Sequence, residues 1–249
     1  VILHLASMNA VGFIGTRTKL YQMMKNLIIT ISGQHFYKDV KMFFIMNNED
    51  QKDFAWARWL QNTYGNDGGM RYFMYDDESR KQALQFLYSE LSARDNGNSA
   101  SNGKDQKRKE GQTDYIVFVY RSEELGGHPV TNFVEKAKNL GFTFLFFEEQ
   151  EELVHHAVNQ KVFLEPEEYR GTVVDVDDGE KVQAFSYPHI SRQQAADAAI
   201  KLACVYIDEL SLESTLTKNI SLYKLMNIMS AYDLNLKERW AASDVTKSM

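Results

Sequence analysis

Three stretches of this chain are largely apolar and do not alternate: Val40–Met46, broken only by Lys41, Tyr115–Tyr120, and Phe142–Phe147, broken only by Thr143. A strand with one wet face alternates polar and apolar residues, so strands like these must be covered on both faces. Amphipathic stretches separate them. From Thr16 to Ser32, Leu20, Met23, Met24, Leu27, Ile28 and Ile31 recur at helical spacing, and Asp77 opens a second helical pattern reaching about Arg94. Lys52–Leu60 and Val130–Leu140 read as shorter helices. Strand and helix in alternation predict an α/β fold, a mainly parallel sheet flanked by helices. Met70–Tyr75 reads as a further strand, and shorter strands follow at Val162–Leu164, Thr172–Val174 and Val182–Phe185. Ser191 is placed to cap a helix reaching about Leu210.

Composition narrows the function classes. The 249 residues carry one cysteine, Cys204, which excludes an internal disulfide framework or a cysteine-rich zinc cluster. A net charge of −6 weighs against a dedicated nucleic-acid binder. No run approaches the ~20 apolar residues that span a bilayer, and no basic, apolar leader opens the chain. The opening Val1 is read as that of a piece cut from something larger. Asn96–Thr113 is polar and low in complexity, with a basic cluster at Lys104, Lys107, Arg108 and Lys109. It is expected to be a flexible loop within a domain spanning residues 1–212, with 213–249 as a helical linker.

Val11–Gly15 reads as a strand running into a glycine turn ahead of a helix, which is where α/β nucleotide-binding proteins hold phosphate. The candidate anion-binding residues are Gly12, Gly15, Thr16, Arg17, Thr18 and Lys19. A working phosphate loop needs a lysine for the β/γ-phosphates and a hydroxyl for Mg²⁺ at fixed spacing. With Gly12 as the first glycine, Arg17 falls on the second glycine, Thr18 on the lysine and Lys19 on the hydroxyl. With Gly15 as the second glycine, Thr16 falls on the lysine and Arg17 on the hydroxyl. The strand Tyr115–Val119 ends in Tyr120 and Arg121 where a metal-holding acid belongs, and Glu123 and Glu124 come too late. No catalytic or metal-binding residue is therefore assigned. Arg17 and Lys19 read either as a site for an anion that is not hydrolysed or as an exposed basic pair.

Other candidates read as structural. His155-His156 beside Glu148, Glu149, Glu151 and Glu152 reads as an acidic helix start, because adjacent histidines on a helix diverge by about 100°. Trp56 and Trp59 read as core anchors, and Cys204 as a small hydrophobe on a buried helix face.

The strand–glycine–helix opening, the segment Trp56-Ala57-Arg58-Trp59-Leu60 and the strand Asp114–Tyr120 resemble ATPase-related domains of the FtsK/SpoIIIE superfamily. The tail carries Ser221–Met226, Asp233–Leu236, Glu238-Arg239-Trp240, Ser243-Asp244 and Thr246–Ser248. It is similar to the lead-in before the first well-formed ATPase domain in the EssC/EccC family of type VII secretion motors. The resemblance implies a P-loop NTPase-like (RecA/FtsK-type) fold in a degenerate module at the cytoplasmic face of the cell membrane. Its implied partners are adjacent ATPase domains, further copies of the same protein and other secretion components, with export substrates of the WXG100 type. It implies ATP and Mg²⁺ in neighbouring domains; no cofactor is expected for this domain, where the phosphate-loop lysine, hydroxyl and acids are missing, and the acidic balance sets aside the DNA translocation that the superfamily would allow.

Overall fold

The computed structural model describes residues 4–65, 71–72, 76–100, 112–176 and 182–205. The expected linker from residue 213, most of the strand expected at 70–75 and the turn at 177–179 lie outside these residues.

Seven strands form one sheet: β1 (Ala10–Ile14), β2 (Val40–Ile45), β3 (Asp114–Tyr120), β4 (Phe142–Glu148), β5 (Gln160–Leu164), β6 (Arg170–Asp175) and β7 (Val182–Ser186). Their order is β2-β3-β4-β1-β5-β6-β7. The first five are parallel, with β1 between β4 and β5, and β6 and β7 continue the sheet antiparallel. The mainly parallel α/β sheet expected from the apolar runs is therefore present.

Successive residues of each buried strand face opposite cores. Phe44, Phe118, Tyr120, Leu145 and Phe147 point to one side, where they meet Leu20, Met24 and Ile28 of α1 (Arg17–Gln34) and Phe54 and Trp56. Phe43, Val117, Val119, Phe144 and Phe146 point to the other, against Leu84, Leu87 and Leu91 of α3 (Asp77–Ala100) and Val130, Val134 and Ala137. This two-sided burial is why polar residues are few in the central strands. Between β2 and α3, α2 (Asn48–Gln51) is capped by Asn47, whose side chain accepts from Glu49 N and Asp50 N at 3.0 and 2.8 Å. It runs into a 3₁₀ helix at Lys52–Trp59. Pro129–Leu140 is likewise 3₁₀ rather than α-helical, opened by proline and closed by Gly141 in the left-handed conformation.

Several expectations need correction. α3 continues to Ala100, so residues 96–100 are helix where a loop was expected; each residue added to an existing helix gains a hydrogen bond, which offsets weak propensity. Residues 101–111 of that loop lie outside the description. α4 (Arg192–Ala203) has the Ser191 cap, in a reciprocal pair with Gln194, but ends before Cys204. Cys204 is exposed, because the buried stripe of α4 is Ala195 and Ala199. Trp59 is exposed while Trp56 is buried. Among the described residues no helix is long and apolar enough to cross a membrane.

Candidate functional site

The chain leaves β1 at Ile14 and enters α1 at Arg17, so Gly15 and Thr16 alone form the connection. Gly12 lies inside β1, and a Cβ there would come within 2.5 Å of Val154 Cγ1. At Gly15 a Cβ would stand 3.0 Å from Leu164 Cβ. Both glycines thus allow close packing of neighbouring segments. Thr16 precedes α1 without a side-chain capping bond, and Thr16 and Thr18 are exposed.

The two cations of the first turn are drawn to opposite partners. Lys19 is buried; its Nζ donates to Glu168 O at 3.0 Å and Glu167 O at 3.3 Å and lies 3.9 Å from the Tyr169 ring centroid. It closes the turn between β5 and β6. Arg17 Nη2 donates to Asp50 Oδ1 at 2.6 Å and to the Tyr21 hydroxyl at 3.1 Å, and the Tyr21 hydroxyl also donates to Asp50 Oδ1. Tyr21 packs edge-on against Phe54 and Tyr120, at 5.1 and 5.3 Å between centroids. Burial, reinforced by the hydrogen bond to Asp50, pushes the Tyr21 phenol well above its ordinary range.

Tyr120 ends β3 on this same side of the sheet. Its hydroxyl is buried without a hydrogen-bond partner, and burial together with the Asp50 charge pushes its pKa up to about 12. Arg121, next in the chain, has φ +68° and reaches toward Glu149 (3.7 Å) and Glu123 (3.9 Å). Glu123 is largely exposed, whereas Glu124 pairs with Arg80 of α3.

A cavity of about 330 Å³ lies off the carboxyl ends of β3 and β4, lined by Arg121, Ser122, Glu123, Glu148, Glu149 and neighbours. Open α/β sheets place ligands at this end. Glu148, expected at an acidic helix start, is instead the buried last residue of β4, and its carboxylate accepts from Ser122 N. Burial pushes its carboxyl pKa up, opposed by the Ser122 hydrogen bonds. The adjacent histidines are not helical: His155 stacks on Phe146 at 5.1 Å and His156 at 4.4 Å. A larger cavity, about 570 Å³, sits at the opposite ends of the strands, between Leu5, Ile31, Val40, Tyr115 and Phe142. No group of three or more metal-ligating side chains occurs among the described residues.

Tyr21 thus stands between Arg17, which it hydrogen-bonds, and Tyr120, against which it packs, while Lys19 is turned away. Asp50 and Tyr21, which organise the site, were not singled out. The sequence signal for Asp50 was its place just after a buried parallel strand, in Asn47-Asn48-Glu49-Asp50.

The architecture defines an α/β domain with a mainly parallel sheet, a fold shared with solved ATPase domains. Its solved likenesses are EssC from Geobacillus thermodenitrificans (ATPases 2 and 3), with TM-score 0.57 and 11% identity over 90% of this chain and 49% of that one, and the cytoplasmic domain of EssC, with TM-score 0.53 and 11% identity over 85% and 46%. No family model matches the chain. Its curated homologues are type VII secretion proteins. They include the ESX secretion system protein YukB of Bacillus subtilis, 22% identical over 92% of this chain and 15% of YukB. EssC of Staphylococcus aureus is 22% identical over 96% of this chain and 16% of its own length. The ESX secretion system protein EccC of Geobacillus thermodenitrificans is 21% identical over 98% and 16%. This chain thus spans about a sixth of the relatives it matches.

Proposed function

We propose that this chain is a non-catalytic, pseudo-ATPase module of a membrane-anchored type VII secretion motor, acting at the cytoplasmic face of the membrane. It couples or restrains adjacent ATPase domains through domain and subunit contacts while the motor exports WXG100-type proteins. Homology to type VII secretion proteins across nearly the whole chain supports the setting. The observation that carries the absence of chemistry is the junction of β1 and α1. A phosphate cradle runs ~six residues from its first to its second glycine, and here the connection is Gly15 and Thr16. The nearest cation is held by Asp50, and Lys19 is held by the β5–β6 turn. Phosphoryl transfer depends on positioned cations and a metal-bearing acid; Tyr120 stands where that acid would be.

Calorimetric titration with Mg·ATP, alongside a phosphate-release assay, tests this reading. Silence in both is expected. Tight binding with turnover abolished by Glu123→Gln would replace it with an ATPase that uses an unconventional constellation.

A further inference from the structure

Beside the first turn of α1, four polar side chains from three elements converge: Arg17 and Tyr21 from α1, Asp50 from α2 and Tyr120 from β3. Their burial is uneven. The Asp50 side chain is 3% exposed and that of Arg17 is 50% exposed, so the cation can be reached from solvent while its counter-charge cannot. Two atoms in the cluster are buried without a partner, Asp50 Oδ2 and the Tyr120 hydroxyl. The Tyr120 ring packs edge-on against Tyr21, 5.3 Å between centroids, which places its side chain against the same group. The end of α1 nearest to them has neither an acidic residue in its first turn nor a side-chain cap. Such a helix start, with an arginine and two phenols at hand, has the donor set of an anion site.

We propose that Asp50 is a built-in occupant of an anion-binding site at the start of α1, and that the site accepts a free phosphate-class anion once the Asp50 charge is removed. The proposal rests on the reading above that the chain itself holds no nucleotide. A carboxylate fixed by the fold competes at high effective concentration with any dissolved anion. An incoming phosphate would also have to share Arg17 with an immobile like charge; at ~4 Å and an effective dielectric of ~20 this repulsion weakens binding about a thousandfold. Neutralising Asp50 leaves Arg17 and the hydroxyls of Tyr21 and Tyr120 as donors without an ionised acceptor.

The experiment is a titration of the whole chain with inorganic phosphate, followed by calorimetry and by the phosphate dependence of the thermal midpoint. Asp50→Asn removes the charge and keeps the shape; Asp50→Ser removes charge and volume, and serves if the first variant does not fold. The expected result is at least tenfold tighter phosphate binding than in the unaltered chain, returned to the starting level by adding Arg17→Gln. No gain in a folded variant, or a gain that survives Arg17→Gln, overturns the proposal. So does phosphate binding by the unaltered chain as tight as by the variants. Turnover of Mg·ATP by the unaltered chain would overturn the proposed function, and the Asp50 comparison with inorganic phosphate would still be read separately.

Discussion

Lys19 Nζ lies 3.0 Å from the carbonyl oxygen of Glu168, which fixes the second basic residue of α1 to the turn between β5 and β6. The ammonium is buried, takes a second carbonyl from Glu167 and faces the Tyr169 ring. Charge-assisted bonds to backbone carbonyls contribute ~1.5–3 kcal/mol, and a cation over an aromatic face adds ~0.5–1 kcal/mol or more. Lys19→Ala is therefore expected to lower unfolding stability by about 2 kcal/mol, read as a lower urea midpoint at unchanged slope.

Arg17 and Asp50 form a pair that is weak to replace and costly to break. Arg17→Ala leaves a buried carboxylate without its counter-ion, for which ~3–5 kcal/mol is typical. Because Arg17 is half exposed, screening places the expected loss nearer 1–3 kcal/mol. The Arg17→Ala/Asp50→Ala double variant should recover part of that loss. A double-mutant cycle in urea measures the coupling.

Gly12 is a packing glycine. Gly12→Ala drives a Cβ to within 2.5 Å of Val154 Cγ1, and valine is too stiff at χ1 to turn aside freely. Overpacking of this kind costs ~1–3 kcal/mol. Adding Val154→Ala should restore most of the thermal midpoint lost by Gly12→Ala.

Arg121 has φ +68°, where a side chain is strained. Residues held in such regions cost ~1–3 kcal/mol each. Arg121→Gly should raise stability by about 1 kcal/mol, after allowing for the looser unfolded chain, whereas Arg121→Ala should not. Parallel thermal melts of the two variants make the comparison.

Lys41 is buried in β2, its Nζ 3.2 Å from Gln61 O, and burial pushes its pKa down from 10.5 to about 8. Between those values the unfolded chain holds the proton and the folded chain has released it. Stability therefore rises with pH across that interval and is independent of this group below about pH 8. Lys41→Met should abolish the alkaline rise and stabilise the fold at pH 7 by on the order of 1–2 kcal/mol. Urea titrations at pH 7, 8, 9 and 10 show the loss of slope.

The parallel sheet was legible because burial on both faces leaves an apolar signature in the chain itself, as in Phe142–Phe147. The end of α3 was not: Asn96 and Gly97 are poor helix residues, and their helical state depends on the preceding turns. The strand-to-helix junction at Gly15 was readable from glycine and helix periodicity. The fate of its cations was not, because Asp50 and Glu168 reach Arg17 and Lys19 from 33 and 149 residues away. Glu148 looked like one of four surface acids, since nothing in Glu148-Glu149-Gln150-Glu151-Glu152 marks which residue still belongs to the strand. Its neighbour across the sheet, Ile14 of β1, decides that.

The short passage from Ile14 to Arg17 also limits what protein engineering could install here. Exchanging Thr16 or Thr18 for lysine alters charge, but it supplies no extra backbone amides to ring a triphosphate. Building such a ring would take an insertion of several residues between strand and helix, with the hydrogen bond from Gly15 N to Glu148 O given up to make room. What such a ring needs is backbone length, and no point mutation supplies it.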